Sequence, residues 1–194
     1  LQATSGEGKF MSERDMAGLV AYLDLFSTVL EQGQPDEVAT WVRQLEDKMS
    51  LRPLHEVLFQ LMCHRVPHEL KAVLTKTIGM FAISSDTAAE LWERLLLTAI
   101  YETPGGPDAS SLGLAPVAMR YDLSYQLAEI EERAEVYPEI LAFVQLLNKL
   151  WSASKGAIVH QGRRYAHYTR FVCDVVLGQL AGRAYKVPRE KWEL

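Results

Sequence analysis

The residues able to do chemistry are few and scattered. Cys63, His64 and His68 lie close together and offer a thiolate and imidazoles, the donor types of a zinc site. A tetrahedral site needs four ligands, and no second cluster stands at matching spacing, so the simpler reading is a helix end with a buried cysteine and surface histidines. His160, His167 and Cys173 pose the same question, but their spacing suits neither a zinc knuckle nor a Cys–His pair with an orienting third group.

His55–Glu56 and His68–Glu69 each give half of an H-E-x-x-H zinc helix, yet Phe59 and Ala72 stand where the second histidine belongs. Gly6, Gly8 and Lys9 lack the spacing and the following Ser or Thr of a phosphate loop. The carboxylates Glu129, Glu131, Glu132 and Glu135 read as a solvated helix face rather than a cation site. Arg163, Arg164, Tyr165, His167, Tyr168 and Arg170 interleave bases with aromatics as single-strand binders do. Helical spacing of Tyr165, Tyr168 and Phe171 favours packing instead. No catalytic, cofactor-binding or metal residue is therefore assigned, and the chain is not expected to be an enzyme. A helical metal-dependent hydrolase built on these histidines and glutamates is the weakest of the alternatives.

The elements that would position such groups are helices. From Met16, the apolar residues Leu19, Val20, Leu23, Phe26 and Leu30 keep one helical face, with Ser12 and Asp15 capping before them and Gly33 after. Asp36 opens a second helix through Val38, Trp41, Val42 and Leu45, and Pro53 a third through Val57, Leu58 and Leu61. The helix after Pro67 carries Leu70, Val73, Leu74, Thr77, Ile78 and Phe81; the next starts at Ser85 or Thr87, with a Thr87–Glu90 box. Helices are predicted from Met119 to about Val136, from Pro138 through Trp151, and from about Arg164 to Gly182, with Tyr168, Phe171, Val172 and Val175 on one face of the last. Pro188 opens a short terminal turn. No stretch shows sustained period-two alternation, so no strand is assigned.

Short connections imply antiparallel neighbours, and helix starts near 12, 53 and 86 recur at the spacing of HEAT and armadillo pairs. The expectation is an all-α, HEAT/armadillo-like helical-repeat solenoid segment of stacked antiparallel helix pairs. Residues 1–11 are a flexible lead-in, 12–194 the solenoid, a fragment of a longer chain, and 103–116 and 152–163 are loops.

With 194 residues, 48% of them hydrophobic, the chain can bury a sizeable core. A formal charge of −5 gives no general attraction for nucleic acid. No apolar run is long enough to span a bilayer, and the two cysteines within apolar stretches, with no glycosylation sequon at Asn148, suit a reducing compartment.

Four stretches then resemble the large inner-ring scaffold nucleoporins of the nuclear pore complex: SERDMAGLVAYLDLFSTVL (12–30), VPHELKAVLTKTIGMFAISSDTAAELWERL (66–95), EIEERAEVYPEILAFVQLLNKL (129–150) and RRYAHYTRFVCDVVLGQLAGRAYKVPREKWEL (163–194). The last ends in a pattern of Arg183, Tyr185, Lys191, Trp192 and Glu193. Residues 31–50 and both loops resemble the family less closely. The resemblance implies a structural role at the nuclear envelope within a longer superhelical solenoid. Its implied partners are other nucleoporins, above all short motifs of flexible adaptors, with no direct nucleic-acid contact and no cofactor. It offers no residue-level partner site to carry over. A soluble transport receptor or adaptor of the karyopherin-like class remains the alternative.

Overall fold

The computed structural model describes residues 12–49, 53–62, 66–98, 101–103, 121–154 and 162–194. Helix α1 (Glu13–Gln32) begins where the capping pair predicts: Ser12 Oγ accepts from Asp15 N at 3.1 Å and donates to the Asp15 carboxylate at 2.6 Å. Its buried residues, Leu23, Ser27 and Leu30, form one stripe. Gly33 follows, but not as a left-handed cap, since its φ is −75°. A Cβ there would stand 2.6 Å from Val38 Cγ2 and 2.9 Å from Trp41 Cζ3. The glycine instead lets α2 (Pro35–Met49) fold back closely.

Helices α3 (Leu54–Met62), α4 (His68–Gly79) and α5 (Ser85–Thr98) follow the sequence expectation. The start of α5 differs in detail. Ser84 is the cap, with its hydroxyl accepting from Thr87 N at 3.2 Å, while Thr87 Oγ1 reaches back to accept from Ser84 N at 2.9 Å. The box is therefore one turn-start earlier than Thr87–Glu90, which leaves Glu90 free to meet another helix.

α4 is the central element. It packs most extensively against α8 (Pro138–Ser154), and also against α1 and α3, while α5 adds a second contact to α8. Leu70, Leu74 and Ile78 are fully buried along it. Between α1 and α4 the Ser27 and Thr77 hydroxyls pair at 2.7 Å in the core, so neither polar group is buried unsatisfied. The result is an all-α solenoid segment of stacked helices.

The segment 121–134 departs from expectation. Tyr121–Asp122 is not helical but pairs in parallel with Tyr101–Glu102, a bridge too short for an alternating pattern to announce. Beyond it, α6 (Leu123–Tyr125) runs into a π-helical stretch, Gln126–Glu131, and then α7 (Glu132–Ala134), which stops at Glu135 with φ 58°. The wider π turn advances the inward face by one residue. Leu123, Leu127 and Glu131 are buried, while Ile130, which an unbroken α-helix would turn inward, is 39% exposed. Tyr125 is exposed as well.

The same slip occurs later. α9 (Gly162–Arg170) continues as a second π-helical stretch, Phe171–Leu177, so that Phe171 and Val176 are buried and Val175 only partly so. A 3₁₀ turn, Leu180–Gly182, and α10 (Glu190–Glu193) close the described chain.

Candidate functional site

Stacked helices leave grooves, two of them sizeable among the described residues. The first, about 490 Å³, lies between α2, α3 and α5, with Phe81 and Leu91 at its base, Ala39 and Val42 on one wall and Asp36, Arg43, Glu46, His55 and Glu90 at its rim. Glu46 is fixed there because its carboxylate accepts from Leu54 N at 2.6 Å, capping α3 across the connection. The second, about 680 Å³, runs between α4 and α8 and is bordered by Val187, Arg189, Glu190 and Glu193 of the C-terminal segment. Both combine an apolar lining with charges of both signs, the character of a surface that seats a short peptide.

Of the histidine–glutamate pair on α3, His55 lines the first groove. His55 Nε2 lies 3.1 Å from Glu90 Oε1 of α5, and Glu56 pairs with Arg94 one turn further on. Glu90 carries a sequence signal only for a helix cap and Arg94 none, since their partners lie more than thirty residues away. His68 instead pairs with its neighbour Glu69 at the surface. Cys63, His64, His160 and Gly6, Gly8 and Lys9 fall outside the described residues.

The interleaved aromatics pack. Tyr165, Tyr168 and Phe171 are each 2% exposed, and Tyr165 lies 4.3 Å, centre to centre, from buried Trp92. Their faces are thus closed to a nucleobase. His167 is buried against Tyr168, and Cys173 is exposed.

The carboxylate run needs correcting at one position. Glu129 is exposed and pairs with Arg133, as a solvated face would. Glu131 is 1% exposed and accepts from Glu139 N at 2.7 Å and Ile140 N at 3.3 Å, capping α8 from the preceding π turn. Burial outweighs those two hydrogen bonds and pushes its carboxyl up to about 7. Glu139, 3% exposed, is pushed up to about 8 by burial, against the pull of Lys71; Gln126 Nε2 donates to it at 3.3 Å. Nearby, burial also raises the Tyr101 hydroxyl, which bonds Thr75.

The C-terminal segment fastens this junction. Buried Arg183 donates to the carbonyls of Val176 at 2.6 Å and Val175 at 2.8 Å, and to Gln179 Oε1 at 3.1 Å. These carbonyls belong to the second π stretch and would otherwise be left open at a helix end. Tyr137 Oη donates to Ala184 O at 2.9 Å, Lys186 N to Glu135 O at 2.9 Å, and Tyr137 N to Glu190 Oε2 at 3.2 Å. Tyr185 Oη donates to Leu180 O at 3.3 Å and its ring lies 4.9 Å, centre to centre, from Tyr137, so Arg183 and Tyr185 of the terminal sequence pattern are structural ties, while Trp192 is 83% exposed.

A family model described as the nuclear pore complex scaffold, nucleoporins 186/192/205, matches residues 3–194. The chain belongs to that family. The match runs through residues 31–50 and both loops, the stretches in which a weaker resemblance is expected. Similar proteins include human nuclear pore complex protein Nup205, 31% identical over 188 residues, and its namesakes in Arabidopsis thaliana, 29% over 187, and Drosophila melanogaster, 28% over 197. These alignments take in 95%, 94% and 98% of the chain but only 9%, 8% and 9% of the relatives, so the chain spans less than a tenth of their length. A scaffold nucleoporin is accordingly a nuclear pore complex component at the nuclear envelope. None of its described helices is long and apolar enough to cross a membrane.

Proposed function

We propose that this scaffold nucleoporin segment serves in the inner ring of the nuclear pore complex, where its inter-helix grooves hold short motifs of adaptor nucleoporins. Its role is structural rather than catalytic, and its helices form HEAT/armadillo-like pairs within a longer solenoid. The observation that carries the proposal is the groove between α2, α3 and α5: an apolar base, Phe81 and Leu91, under a charged rim, in a chain of scaffold family membership. A short ordered-on-binding motif suits such a groove, since one or two apolar anchors and a rim charge suffice for reversible attachment.

The test is cross-linking and peptide-binding on the full-length parent protein. Peptides tiled across adaptor nucleoporins should bind and be weakened by Val42→Asp, which sets a charge on the groove wall. Full binding by that variant, or no peptide bound by the parent, refutes the proposal.

A further inference from the structure

Among the described residues, one group of histidine and carboxylate side chains converges from separate helices: His55 and Glu56 on α3 and Glu90 on α5, with potential ligand atoms all within 4.8 Å of one another. We propose that His55, Glu56 and Glu90 bind a zinc ion that ties α3 to α5. Two zinc ligands, at about 2.0–2.2 Å from a tetrahedral ion, stand roughly 3.3 Å apart. His55 Nε2 and Glu90 Oε1 are already 3.1 Å apart, so the ion replaces their shared hydrogen with hardly any movement. Glu56 closes the remaining distance by side-chain rotation.

Three features favour binding over a loose surface cluster. His55 is only 12% exposed in its side chain, and its ring rests on Phe81 at 6.3 Å, which limits its orientation. The helices that carry the ligands are held by the core, so little chain entropy is lost on binding. Arg94, paired with Glu56, can keep one carboxylate oxygen while the other meets the ion, the role outer partners play around metal ligands. Two carboxylates against one guanidinium leave net negative charge for the cation. One imidazole with two carboxylates suits zinc better than calcium or magnesium, which prefer oxygen alone. His55 and Glu90 also line the first groove, which places the site at its edge.

The experiment titrates zinc chloride into the chelator-treated 194-residue chain by calorimetry, with melting followed in parallel. One zinc per chain is expected, with Kd at or below about 10 µM. Saturation should raise the melting temperature by about 5 °C. His55→Gln and Glu90→Gln should each weaken binding by at least about tenfold. Circular dichroism checks that both variants fold, which the exposure of Glu90 favours. No saturable zinc up to about 100 µM overturns the proposal. So does unchanged affinity in either variant; if Cys63→Ser then removes binding, zinc belongs to the Cys63–His68 region instead.

Discussion

Replacing Glu139 by Gln should make the protein increasingly more stable than the parent as pH rises from about 4.5 to 8, and hardly change it below about 4.5. The Glu139 carboxyl is 3% exposed and pushed from an ordinary 4.5 to about 8 in the folded chain, first by burial. A group whose pKa is raised on folding holds its proton more tightly when folded. Its contribution is therefore intact below 4.5 and is lost as pH rises through 8. Between pH 6 and 9 the loss in the parent chain comes to about 3 kcal/mol, at roughly 1.4 kcal/mol per unit. Glutamine has the same shape, can still accept from Gln126 and does not titrate, so its curve lacks this slope. Urea unfolding followed by circular dichroism at pH 6, 7, 8 and 9 gives the difference directly. Glu131 titrates in both proteins and drops out of the comparison. Parallel stability curves, or a variant weaker than the parent at pH 9, would refute the idea that a buried carboxyl with a raised pKa sits in the first turn of α8.

Other substitutions probe separate ties. Arg183→Met leaves the Val175 and Val176 carbonyls without their donor and should cost about 2–4 kcal/mol by thermal unfolding, with Arg183→Lys only partly restoring it. Trp92→Ala removes the fully buried ring packed on Tyr165 and Trp151 and should cost about 3–5 kcal/mol; Trp92→Phe should cost clearly less, because the buried indole N–H finds no acceptor among the described residues. Ser27→Ala strips the Thr77 hydroxyl of its cross-helix partner and should cost about 1–2 kcal/mol in urea unfolding, although Thr77 keeps its bond to Val73 O.

Much of the architecture was legible because it depends on local rules. The cap at Ser12, the stripe from Leu19 to Leu30 and the prolines at helix starts all act within a few residues. Glu131 was misread because the sequence was laid on a uniform 3.6-residue helix, whereas one π turn moves it from the solvent face to the core. Val176 was missed for the same reason. The Tyr101–Tyr121 bridge joins positions twenty residues apart through two-residue strands, beneath the reach of any periodic pattern. At the groove, His55 and Glu56 stood out as half a motif, but Glu90 and Arg94 reach them only through the packing of α5 on its neighbours. The helical spacing of Tyr165 and Tyr168 suffices to predict packing, and both are buried near Trp92.

The fastening of the C-terminal segment has a mechanical consequence. Lys186 N to Glu135 O and Tyr137 Oη to Ala184 O link residues about fifty apart in sequence, tying the start of α8 to the C-terminal segment. Tension entering at the C-terminal end would therefore load these bonds together with the Arg183 anchor before it reached α8 or α9. Such a clasp makes the last helices share strain as one block, which would move together and keep its shape under load.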